Sequence, residues 1–158
     1  MRDNMLKFFL YNDYALSKKL IYAYVALVCP VIFYIGIVAL IFNYFGFSMP
    51  TDVGEISNSV LLIVSPFTES VMLIFFLNII IIFVKRKFIA CIFASIVFGV
   101  LHADPYWRFV TGAWGFFVFS NFYMSLRARS FWLAFSMTVL LHSLGNFTGY
   151  LIGVLGAL

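Results

Sequence analysis

Five long apolar runs separated by short polar or basic punctuation make up most of this chain: about Leu20–Phe45, Asn58–Val84, Phe88–Ala103, Trp107–Ser125 and Phe131–Leu158. Each is near the ~20 residues that carry a helix across the ~30 Å hydrocarbon core of a bilayer. None shows the polar/apolar alternation of a transmembrane barrel strand, and lipid cannot hydrogen-bond an exposed backbone, so the pattern predicts helices. The expected fold is all-α, a polytopic membrane helix bundle of about five transmembrane helices. No internal repeat, linker or low-complexity tract breaks the pattern, so residues 1–158 read as a single integral membrane domain with its motif-bearing core at about 58–158. The first run continues for roughly 25 residues without an A-x-A-like end, too long for a signal-peptide core, and reads as a retained span.

Composition points the same way. Of 158 residues, 65% are hydrophobic and 10% charged, against about 45–50% apolar and about 25% charged in ordinary soluble domains. So little polar surface cannot coat a globule in water. Cys29 and Cys91 lie inside apolar runs, where a small thiol packs as a hydrophobe, and they form no disulfide framework.

The net charge of +4 matters less than its distribution. Arg2, Lys7, Lys18 and Lys19 precede the first run, Lys85, Arg86 and Lys87 separate the second from the third, and Arg127 and Arg129 separate the fourth from the fifth. In an alternating topology all of these fall on one side, which the positive-inside rule makes cytoplasmic. The loop with Asp52 and Glu55 and the turn Asp104–Arg108 then face outward, with Arg108 the one dissenting cation. Trp107, Trp114 and Trp132 fall near run ends, as interfacial anchors do. No face interleaves basic with polar residues, so no nucleic-acid partner is expected.

Glu69 alone among the six acidic residues falls well inside a run. A charged side chain at the bilayer centre costs about 2.5–3.5 kcal/mol on insertion scales, so Glu69 needs a partner. His102 and His142 lie within or at the end of runs, and Asn146 follows His142 by one helical turn on the same face. Counting from the basic residues at about 1.5 Å per residue, Glu69 lies roughly 24 Å above Lys85 and His102 roughly 22 Å above Lys87. His142 and Asn146 lie roughly 20 Å and 26 Å above Arg129 on the same count. Taken singly, an intramembrane Asn or His is more often a helix–helix hydrogen-bonding residue than a catalyst. Four polar groups from three helices at one level make a site the stronger reading.

Three short motifs on separate helices carry those residues. They are Pro66-Phe67-Thr68-Glu69-Ser70-Val71-Met72-Leu73-Ile74, then Phe98-Gly99-Val100-Leu101-His102, then His142-Ser143-Leu144-Gly145-Asn146. In order and spacing, from about Ser65 to Tyr150, the chain resembles the CAAX protease and bacteriocin-processing (CPBP, or Abi) family, which includes the Ras-converting CAAX prenyl endopeptidase. That family's first motif is Pro-x-x-Glu-Glu-x-x-x-Arg. Here Ser70 replaces its second Glu and Ile74 its Arg, so both members of an acid–base pair are absent together. Losing one partner of a buried pair strands a charge at about 3–5 kcal/mol, whereas losing both can be nearly neutral.

The resemblance implies an intramembrane glutamic endopeptidase. In it Glu69 and His102 activate a water that attacks the scissile carbonyl without an acyl-enzyme, while His142 and Asn146 donate to the oxyanion. Phe98, one turn before His102, is expected to pack against the imidazole. Ser65-Pro66 suits either a helix start with Ser as N-cap or a kink in the second span, and both open backbone near Glu69. No cofactor is expected. Two other classes stay open: a zinc metalloprotease, since one Glu and two His can bind zinc although H-E-x-x-H is missing, and a non-catalytic membrane immunity or scaffold protein or proton-coupled carrier. Expected partners are membrane lipid and a membrane-associated protein or peptide substrate, such as a C-terminal sorting tail. The expected location is the cell membrane, with the N-terminus cytoplasmic and the C-terminus extracytoplasmic.

Overall fold

The computed structural model describes residues 15–47, 60–103, 106 and 108–156, with side chains as far as residue 152. Arg2, Lys7, Asp52, Glu55, Trp107 and most of the Asp104–Arg108 turn lie outside the described residues. The chain is all-helical, with no strand among the described residues: α1 (Leu16–Tyr44), α2 (Ser65–Val84), α3 (Lys87–Leu101), α4 (Arg108–Arg127) and α5 (Phe131–Gly156). A π-helical turn, Val60–Val64, runs directly into α2. Among the described residues, two segments, Leu16–Tyr44 and Val60–Val84, are long and apolar enough to cross a membrane by length and composition; Lys87–Leu101 is apolar but shorter. The basic punctuation marks the turns. Lys85 ends α2 in the left-handed region at φ 55, its N–H returned to the Ile81 carbonyl, and α3 begins two residues later.

α4 is the central element and touches all four other helices. Its inner positions include Phe116, Phe119, Phe122, Tyr123 and Leu126, all buried. The α3–α4 crossing is close because small residues meet there: a Cβ built on Gly99 would lie 2.7 Å from the Ala113 Cβ. Beside it, Phe98 stacks on Phe116 with ring centroids 4.4 Å apart. Buried Ser95, Asn121, Ser125 and Thr138 each donate to a carbonyl three or four residues back, which satisfies them without leaving the apolar interior. Lys19, wholly buried at the start of α1, donates from Nζ to the Ser125 carbonyl at 3.4 Å, a cation placed at the C-terminal end of α4. The outward faces are apolar instead, with Phe33, Leu40, Ile82, Phe83 and Trp132 all exposed.

Pro30 shapes the cavity side of the bundle. Pro30 lies inside α1 and has no N–H, so the Ala26 carbonyl four residues earlier lacks its helical donor. Trp114 of α4 supplies one, its Nε1–H donating to Ala26 O at 2.9 Å. Tyr24 makes a second tie: Thr148 commits its own hydrogen to Leu144 O, so the Tyr24 hydroxyl donates to Thr148 Oγ1 at 2.6 Å. Below Pro30, α1 buries Lys19, Ala23 and Leu27 at four-residue spacing; beyond Leu27 it buries nothing. The first helix thus lies against α4 and α5 over its first half and leaves a cleft beside its second.

Candidate active site

Glu69 occupies the second turn of α2, and its side chain is 22% exposed. His102 follows the last turn of α3 as its C-cap, its N–H held by the carbonyls of Phe98 and Gly99. His142 and Asn146 stand one turn apart on α5. The structure brings the acid and both imidazoles together on one oxygen: Glu69 Oε2 lies 3.2 Å from His102 Nε2 and 3.5 Å from His142 Nε2.

The hydrogens can be assigned from what each atom meets. His102 Nδ1 lies 2.7 Å from the Phe98 carbonyl, which can only accept, so Nδ1 carries a hydrogen and Nε2 is the nitrogen presented to the carboxyl group. His142 Nδ1 is buried and meets no hydrogen-bonding atom. A hydrogen stranded there would be a buried unsatisfied donor, so the favoured neutral form carries its hydrogen on Nε2 and points it at Glu69. Aromatic rings fix both imidazoles. Phe119 stacks on His142 at 4.4 Å between centroids, and Phe116 lies 5.6 Å from His142 and 5.0 Å from His102. Phe98 holds His102 through its carbonyl and stacks on Phe116, whose ring lies against the imidazole.

From sequence, Ser65 is expected to have a backbone role only, as an N-cap or part of a kink with Pro66. Val64 already has helical dihedrals, φ −70 and ψ −49, so the helix runs unbroken through Ser65, which is not its N-cap. Its hydroxyl donates instead to Glu69 Oε1 one turn on. The i,i+4 spacing of Ser65 and Glu69 was the available signal. With Oε1 held by Ser65, Oε2 is left to face both rings.

Asn146 has a second task. In the π turn, carbonyls bond five residues ahead, and extending that pattern would send the Leu61 carbonyl to Pro66, which has no hydrogen to give. Asn146 Nδ2 donates to Leu61 O at 2.9 Å and fills that place. One Nδ2 hydrogen is thereby engaged, and the carboxamide carries a second. Ser70 and Ile74, the two departures in the first motif, are both buried on the inner face of α2, where the apolar Ile74 side chain packs in the core.

These groups border a cavity of about 510 Å³, within the range of small-ligand sites. Ser65, Glu69, His102, His142 and Asn146 provide its polar wall, with Arg108 and Thr111 from the start of α4. Gly112 makes room for His102: a Cβ there would lie 2.9 Å from the His102 Cβ. Among the described residues, no group of three or more His, Cys, Asp or Glu side chains is arranged to hold a metal ion. The arrangement can pass a proton between a carboxyl group and an imidazole beside a space that admits water. Comparison of the chain with protein-family models, with curated proteins and with solved structures finds no match.

Proposed function

We propose that the chain is a multi-pass membrane protein of about five spans and acts as an intramembrane glutamic endopeptidase of the CPBP type. One observation carries the reading: a single carboxyl oxygen of Glu69 between two imidazole nitrogens, at 3.2 Å and 3.5 Å, beside a cavity of about 510 Å³. Membrane embedding is supported by the two long apolar segments and by a surface on which Phe33 and Phe83 are 72% and 78% exposed while Lys19 and His142 are buried. The basic residues Lys18, Lys85, Arg86, Lys87, Arg127 and Arg129 mark the cytoplasmic end. The order of the three motifs adds the family resemblance.

The proton count gives the mechanism. Because the Nδ1 hydrogen of His102 belongs to the Phe98 carbonyl, one proton lies between His102 Nε2 and Glu69 Oε2. On Nε2, it leaves Glu69 a carboxylate that takes a proton from water and His102 an acid that gives one to the departing amine. The water oxygen bonds to the scissile carbonyl carbon, whose oxygen becomes an oxyanion. As Glu69 becomes protonated, the His142 Nε2–H is released from it to donate to the oxyanion, and the second Nδ2 hydrogen of Asn146 donates as well. Collapse of that intermediate breaks the carbon–nitrogen bond, and the amine leaves with the proton of His102. Substrates are membrane-associated proteins or peptides, reached from the lipid.

The test compares new N-termini among membrane peptides from cells carrying the native chain or its Glu69→Gln form, at matched expression. Cleavage products are expected with the native chain and absent with Glu69→Gln. Identical products from both would place the chain in the non-catalytic class.

A further inference from the structure

The cavity extends well past the reacting groups. Its far wall is the second half of α1, where Val31, Ile32 and Ile35 line it. Its near wall is α5 from Gly145 to Ile152. The two helices touch at Leu27, whose Cδ2 lies 2.9 Å from where a Cβ on Gly145 would stand, and at the Tyr24–Thr148 hydrogen bond. Beyond those contacts they part.

Of the described glycines lining the cavity, Gly112 and Gly145 each make room for a neighbouring side chain, and a Cβ on Gly115 would rest in ordinary contact with Leu27 and Phe119. Gly149 has no such neighbour, since a Cβ there would meet no atom within 4 Å. A Cβ on Gly36 would likewise meet nothing, but Gly36 lies outside the cavity lining, whereas the missing side chain at Gly149 leaves part of the cavity itself open to a group from outside the chain. Gly149 stands three residues past Asn146 on the cavity side of α5.

We propose that the slot between Gly149 of α5 and the Val31–Ile35 stretch of α1 binds an extended, apolar peptide segment, continuous with the scissile bond held at Glu69. The side chains of this stretch that face the slot, Val31, Ile32 and Ile35, are apolar, so the bound segment is apolar. A helical segment would keep its carbonyls in its own i→i−4 bonds, and hydrolysis needs one exposed, so the segment is strand-like. Glycine at 149 lets such a backbone approach α5 closely. The slot's role in hydrolysis rests on the proteolytic reading, whereas its occupancy can be tested apart from it.

The probe is a leucine-rich peptide bearing a benzophenone, in phosphatidylcholine liposomes with the full chain carrying Glu69→Gln, Cys29→Ala and Gly149→Cys; Cys91 is buried and stays. Photo-adducts are expected within the Val28–Ile35 stretch. Attaching a benzyl thiosulfonate to the new cysteine should lower their yield at least about tenfold, and a reductant should restore it. Adducts spread over outward-facing positions away from the slot, such as Leu40 and Phe83, and indifferent to the plug would overturn the proposal. So would a plug-sensitive adduct formed by benzophenone phosphatidylcholine and not by the peptide. Should Gly149→Cys fail to fold, Ile32→Cys carries the same plug on the opposite wall. If the Glu69 form of the plugged protein cleaves as before, the slot is refuted and the protease stands. If the peptide occupies the slot and native protein cleaves nothing, the protease is refuted and the slot stands.

Discussion

Replacing Gly112 with alanine adds one methyl group on α4, removes no polar atom, and should still disable the site. The new Cβ would lie 2.9 Å from His102 Cβ and 3.5 Å from its Cγ. Carbon atoms settle at about 3.5–4.0 Å, so His102 must retreat by ~0.6–1.1 Å. The His102–Glu69 contact is already 3.2 Å, and a retreat along it leaves ~3.8–4.3 Å, too long for a hydrogen bond. Misplacement by about 1 Å costs on the order of 100-fold in rate, which is the expected loss of cleavage. Stability should change little, because alanine gains about 0.8–1.0 kcal/mol of helix propensity over glycine while overpacking costs about 1–3 kcal/mol. Two assays separate these effects: product N-termini counted in membranes, and histidine ¹⁵N NMR of purified protein in detergent, which reports the hydrogens on both ring nitrogens. Gly36→Ala is the control, since a Cβ there meets nothing within 4 Å. Native turnover in Gly112→Ala with unchanged His102 shifts would show that the α3–α4 contact does not position the imidazole.

Three other outcomes are expected. Ser65→Ala should lower kcat with KM little changed, because the freed Glu69 carboxyl group can turn its Oε2 from the rings, and Ser65→Thr should restore most of the rate; a pure KM effect would contradict this positioning role. Asn146→Leu should lower unfolding stability by about 0.5–1.5 kcal/mol, the net contribution of a typical hydrogen bond, because Leu61 O loses its donor; an unchanged melting temperature in detergent would remove Asn146 from that role. Cysteines introduced at Asp52 and Arg127 should react with impermeant reagents from outside and from the cytoplasm respectively, and labelling of position 52 only from the cytoplasm would invert the proposed orientation.

The helices themselves were legible from local pattern. Runs such as Phe131–Leu158 and Asn58–Val84 became α5 and the π turn plus α2 within a few residues, because the backbone in apolar surroundings must satisfy its own hydrogen bonds. Position along the helix axes was legible too, since rise per residue is nearly constant, and it set Glu69, His102 and His142 at a common height, where their side chains meet. Rotation was not. These helices are apolar on nearly every side, so no polar stripe says which face turns inward. Which oxygen of Glu69 meets the rings, the room Gly112 leaves for His102, and the Asn146 bond to a carbonyl that Pro66 leaves unpaired all depend on that rotation. They were decided by contacts between segments up to 85 positions apart. The sequence by itself determined how far along each helix its polar groups stand; only the tertiary structure decided which way they point, because azimuth is set by neighbouring helices and not by the chain's own periodicity.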